Sequence, residues 1–103
     1  MTIKYQIIYW RDIPAQVKVR AGRKRAGRPL SGRFTVAIDE AAMRAGLTNA
    51  DDYLTEWRNG DWLERDGELE EVAAALVREL EADYPKQRLR QLVAQQGLEQ
   101  AGA

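Results

Sequence analysis

Ile3-Lys4-Tyr5-Gln6-Ile7-Ile8-Tyr9-Trp10 and, after Arg11-Asp12-Ile13-Pro14, Ala15-Gln16-Val17-Lys18-Val19-Arg20-Ala21 are the two runs that decide the fold class. In the first, apolar residues stand at 3, 5, 7 and 9. That period of two, in β-branched and aromatic types, predicts a strand. Ile8 and Trp10 add apolar character to its second face. In the second run, Ala15, Val17, Val19 and Ala21 alternate with Gln16, Lys18 and Arg20. Pro14 fixes φ and lacks a donor, so residues 11–14 read as the turn of an antiparallel hairpin.

Downstream, residues 22–32 carry Gly, Arg and a proline and read as a loop. Residues 33–39 alternate again, with Phe34, Val36 and Ile38 on one face, and predict a third strand in a meander. Asp39 then reads as the N-cap of a short helix over 40–45, with Gly46 as its C′ residue. Thr48 is expected to cap a second helix whose stripe is Tyr53, Leu54 and Trp57, stopped by Asn59-Gly60. Residues 61–65 form a short extended piece that can serve as a fourth, edge strand. Leu69, Val72, Ala73, Leu76, Val77, Leu80 and Tyr84 make one continuous helical stripe over 68–84. Pro85 ends it and opens a further short helix carrying Leu89, Leu92 and Val93.

Strands first and helices later predict an α+β domain. The expectation is a three-stranded antiparallel meander, with the optional fourth strand, packed on one face by three to four helices. Residues 1–96 form a single domain in this reading, and residues 97–103 a flexible C-terminal tail.

Composition narrows the chemistry. The 103 residues include no cysteine and no histidine. Disulfides and thiolate metal sites are therefore excluded, and the commonest general base and transition-metal ligand are absent. No cofactor and no metal are expected. The carboxylates Asp39, Asp51, Asp52, Glu56, Asp61 and Glu64 are the remaining candidates for acid–base work. Capping, turns and helix surface account for Asp39, Asp51, Glu56 and Asp61, so no catalytic residue is assigned and the protein is expected not to be an enzyme. Gly22, Gly27 and Gly32 match neither a phosphate-binding loop nor a dinucleotide fingerprint. No apolar run reaches membrane-spanning length, and the N-terminal run lacks a secretory pattern, so a cytoplasmic location is expected with no membrane partner.

Charge is the conspicuous feature. The formal net charge is zero, yet residues 1–33 hold nine Lys/Arg and one acid, and residues 34–103 hold seven and fifteen. The candidate partner-binding set is Lys18, Arg20, Arg23, Lys24, Arg25, Arg28 and Arg33, suited to carboxylate or phosphate. A protein partner with an acidic surface, or an anionic ligand, is the leading expectation. Nucleic acid is the weaker one, because the 22–33 segment contains no aromatic residue. Trp10 and Trp62 are the candidate exposed aromatic anchors, since tryptophan is enriched in binding hot spots; Trp57 is expected in the core.

Three runs carry a resemblance: Tyr9-Trp10-Arg11-Asp12-Ile13-Pro14-Ala15-Gln16-Val17, Phe34-Thr35-Val36-Ala37-Ile38-Asp39-Glu40-Ala41-Ala42-Met43, and Asp52-Tyr53-Leu54-Thr55-Glu56-Trp57. Over roughly residues 3–85 the chain resembles the small bacterial "virulence factor" family, seen also as the C-terminal module of conserved virulence factor proteins with helical repeats. The resemblance implies no catalytic residue and no cofactor. It implies, from stand-alone members near genes of corrinoid and folate one-carbon metabolism, an accessory or regulatory role there as an alternative.

Overall fold

The computed structural model describes residues 1–47 and 49–99. In chain order the elements are β1 (Thr2–Trp10), β2 (Ile13–Ala21), β3 (Lys24–Pro29), α1 (Gly32–Arg44), α2 (Ala50–Leu54), β4 (Trp57–Asn59), β5 (Leu63–Asp66), α3 (Leu69–Asp83) and α4 (Lys86–Ala94). The class is α+β, as expected, but the antiparallel sheet has five strands rather than three. Its order is β3-β2-β1-β4, with β5 also pairing β1. The short β4 and β5 thus share one side of β1, while β3 is a free edge.

β1 and β2 form the expected hairpin, with a tighter turn. Only Arg11 and Asp12 lie outside the strands, and Ile13 and Pro14 belong to β2. Ile8 faces Gln16 whereas Tyr9 faces Pro14, so Ala15 is the extra residue of a β-bulge. Pro14, which has no N–H to give a ladder, is tolerated in this inner strand because it sits at the bulge.

The third strand lies elsewhere than the alternation predicts. Residues 24–29, read as loop, are β3, joined to β2 by Gly22-Arg23. Gly22 has φ +61°, at the first turn position, where a two-residue hairpin of type II′ needs glycine. Residues 33–39, read as strand, lie inside helix α1. The buried members of that helix, Phe34, Ala37, Ile38, Ala41 and Ala42, fall at helical spacing, and Val36 points outward at 55% exposure. Ser31, not Asp39, is the N-cap residue, and Asp39 is an exposed mid-helix residue. At the other end the expectation for Gly46 holds. It has φ +75°, its N–H donates to Met43 C=O, and the Leu47 N–H donates to Ala42 C=O, the paired bonds of a Schellman cap.

Thr48, the expected cap of α2, lies outside the described residues. The Asn49 side chain accepts from the Asp51 N–H at 2.8 Å and caps that helix. Trp57 leaves the helix and opens β4, and Leu54 is exposed. Helices α3 and α4 follow the apolar stripes read from sequence.

α3 lies across the sheet face that carries Ile3, Val17 and Val19, burying Val72, Ala73 and Leu76 against them. A second cluster gathers at the β1–β2 turn, where Trp10, Ile13 and Leu30 meet Phe34 and Ile38 of α1 and Leu89, Leu92 and Val93 of α4. Val77 and Leu80 of α3 border both clusters. The start of the predicted tail is tied down: the Asp12 N–H donates to Gly97 C=O, and the Glu99 N–H donates to the Asp12 carboxylate. Residues 100–103 lie outside the described residues.

No helix among the described residues is long and apolar enough to cross a membrane.

Candidate functional site

The β2–β3 ladder fixes which basic residues are neighbours. The Leu30 N–H donates to Ala15 C=O, which makes 15/30 a hydrogen-bonded pair. Bonding alternates in an antiparallel ladder, so 17/28, 19/26 and 21/24 bond as well. The pairs between them, 16/29, 18/27 and 20/25, are the non-bonded ones, in which side chains stand closest. Arg20 and Arg25 are therefore direct cross-strand neighbours, and like charges so placed repel.

The open face, opposite α3, reads as rows across the sheet. One row is Glu64–Lys4–Arg20–Arg25, the next is Gln6–Lys18–Gly27. Glu64 balances Lys4 at one end of the first row, and no acid balances the Arg20–Arg25 end. Trp62, just before β5, lies over this face at 41% exposure. The Arg20 guanidinium stacks on its indole, 4.4 Å from the ring centroid, an arrangement that leaves the N–H edges of the fork free. A groove of about 350 Å³ follows, with walls of Lys18, Arg20, Arg25 and Trp62. Gly27 adds no side chain, and Val19 and Ala26 complete the lining. Among the described residues no carboxylate lines the groove. Lys18, Arg20 and Arg25 form no ion pair among the described residues.

The seven basic residues singled out from sequence thus divide. Lys18, Arg20 and Arg25 converge on the groove. Arg23 sits exposed in the hairpin turn. Lys24 and Arg28 project from the opposite face, by alternation, and Arg28 is engaged: it pairs with Glu70 of α3 and donates to the Gly27 C=O at 2.8 Å. That carbonyl is one of the groups β3 turns away from β2, and Pro29 lacks the next outward N–H. The free edge is blunted by both devices and by its charge. Arg33 is structural. It donates to the carbonyls of Glu81 and Tyr84 at 2.7 and 2.8 Å, satisfying the end of α3, and pairs with the Glu81 carboxylate at 3.2 Å.

Of the two candidate aromatic anchors, Trp62 is exposed and Trp10 is fully buried. Burial removes Trp10 as a docking residue. The Arg20–Trp62 stack is the contact that sequence reasoning missed, because nothing local to Trp62 announces its partner.

The carboxylates do not converge. Asp39, Asp51, Asp52, Asp61 and Glu64 are exposed, and Glu56 pairs with Arg11 at 3.1 Å. Among the described residues no group of three acids stands close enough to hold a metal ion.

A family model described as "Virulence factor" matches residues 8–93. The chain belongs to that family. The match spans Lys18, Arg20, Arg25 and Trp62, and stops short of Gly97–Glu99. No curated protein matches the chain, and no solved structure does.

Proposed function

We propose that this member of the virulence factor family is a non-catalytic accessory or adaptor domain that receives an anionic ligand or an acidic partner segment on the open face of its sheet. Lys18, Arg20 and Arg25 supply the charge, and Trp62 supplies an apolar wall. The observation behind this reading is the convergence of three cations, free of ion pairs among the described residues, on one groove with no acid in its lining. Arg28 and Arg33, by contrast, are engaged with Glu70 and with Glu81 and the end of α3. A guanidinium seated over an indole is already confined, so less freedom is lost when it binds a carboxylate or phosphate.

The test is retention of a binding partner from native lysate, at low and at high salt, by wild type and by the K18E/R20E/R25E variant. The R23E/K24E variant, which reverses the same kind of charge at the turn and on the other face, is the control. Circular dichroism of each variant verifies the fold. Retention lost in the first variant and kept in the second supports the reading; equal retention by both ends it.

Trp62 supports a second reading. An exposed indole beside cations also suits single-stranded nucleic acid, on which bases stack. That reading requires affinity for a single strand that falls linearly in log–log form with salt.

A further inference from the structure

Arg20 and Arg25 are closest neighbours in a non-bonded cross-strand pair, and Lys18 stands one row away, across from Gly27. Each guanidinium repels the other, and Lys18 adds a third positive charge at the same spot. The one acid in that row, Glu64, lies beyond Lys4, two strands from Arg20. Across β1, Arg20 faces Lys4, and Lys18 faces Gln6, which is uncharged and buried with its amide donating to the Gly60 C=O at 2.9 Å; Gln16, next on that face of β2, is uncharged as well. Repulsion of this kind is relieved most by one small anion that carries two charges and several acceptor oxygens. A carboxylate brings one charge and two oxygens. A phosphate monoester brings close to two charges at neutral pH, with three oxygens, enough for two forks and an ammonium.

We infer that the groove between Arg20, Arg25, Lys18 and Trp62 is a binding site for a phosphate monoester dianion. The inference deepens the anion-binding proposal and rests on it. The phosphoryl group lies between the two guanidiniums, Lys18 completes its neutralisation, and the group that carries the ester packs against Trp62. Such a group can come from a phosphorylated side chain of a partner protein or from a free phosphate ester, and the chemistry at the site is the same.

Isothermal titration with phenyl phosphate and with benzenesulfonate tests it. The second pKa of a monoester is about 6, so affinity for phenyl phosphate should fall roughly tenfold between about pH 7.5 and pH 5. Benzenesulfonate keeps a single charge throughout, so it should bind weakly and without pH dependence. Arg20→Gln and Arg25→Gln should each weaken phenyl phosphate by roughly tenfold or more, as loss of a charge-assisted pair does. Arg23→Gln should leave it unchanged. A phosphoserine peptide that binds more tightly than phenyl phosphate or glucose 6-phosphate places the group on a protein; the reverse order places it on a small ester. Equal affinity for phenyl phosphate and benzenesulfonate, or indifference to Arg20→Gln and Arg25→Gln, overturns the site. So does a single-stranded oligonucleotide that binds more tightly than any monoester, because phosphodiesters carry one charge. A polyglutamate peptide separates the two levels. If it binds wild type and not K18E/R20E/R25E while phosphate has no advantage, the dianion inference fails and the anion-accepting face stands. If neither polyglutamate nor phenyl phosphate binds, both fail.

Discussion

The indole of Trp10 donates its Nε1–H to the Tyr53 C=O at 3.0 Å, stacks on the Tyr53 ring with centroids 5.7 Å apart, and lies against Gly97. A Cβ on Gly97 would stand 3.0 Å from that ring, and its φ is +85°, so the position needs glycine on both counts. One side chain thereby joins β1, α2 and the segment after α4. Trp10→Ala should cost about 3–5 kcal/mol, the range for truncating a buried aromatic. Trp10→Phe should cost less, retaining most of the packing and removing one of the two donors to the Tyr53 carbonyl, which keeps the Glu56 N–H at 3.3 Å, a loss of about 0.5–1.5 kcal/mol. Urea denaturation of the two variants provides the comparison, and similar small losses for both would mean that Trp10 is not the keystone of this cluster.

At the scale of elements, α3 is fastened to the sheet by more than its apolar stripe. Arg65 of β5 donates to both oxygens of Glu79, at 2.7 and 2.9 Å. That bidentate hydrogen bond, followed by the charge attraction, holds the Glu79 carboxyl below its ordinary value of 4.5. The sign follows: a lowered folded pKa contributes stability that is present above the unfolded value and is lost as pH falls through the folded one. The pair is half exposed and screened by water, so Glu79→Gln should cost no more than about 1 kcal/mol at neutral pH. The difference seen at neutral pH should shrink at an acid pH well below 4.5, as the folded carboxyl takes its proton. Urea midpoints at the two pH values decide it; a gap that persists in acid assigns the effect to packing. These elements also show how far local pattern reaches. The β1–β2 hairpin, α3 and α4 were legible because each repeats one period over many residues. Phe34, Val36 and Ile38 misled because five buried positions of α1 include three alanines, Ala37, Ala41 and Ala42, which carry little hydrophobic signal beside the alternation of larger residues. β3 was hidden for the opposite reason. An edge strand with one open face needs few apolar residues, and only Ala26 supplies one that is half buried. The groove was half legible. Lys18 and Arg20 were plain from alternation, whereas Arg25 entered with four other loop bases, and only the ladder register separates it from Lys24 and Arg28.

For the molecule as a whole, folding partly interleaves the basic first third with the acidic remainder. Arg11 pairs with Glu56, Arg28 with Glu70, and Arg33 with Glu81, while Asp12 receives Arg58. The open face of the sheet is where that neutralisation stops. The segment Gly97–Glu99, beyond the family match, closes the opposite end of the chain onto the β1–β2 turn: Gly97 C=O and the Glu99 N–H bracket Asp12, and the Glu99 carboxylate takes Arg88 at 2.9 Å. A chain ending at Gln96 loses those three bonds and uncovers Trp10, and should lose about 2–3 kcal/mol at roughly 1 kcal/mol per bond. Thermal unfolding of chains ending at Gln96 and at Glu99 measures this, and equal midpoints would show that the segment closes nothing. The same contact sets an order of events during synthesis. Translation delivers residue 10 early and residue 97 late. Until Gly97 leaves the ribosome the Trp10 indole lacks that part of its cover, so the β1–β2 turn end of the core is the last to close.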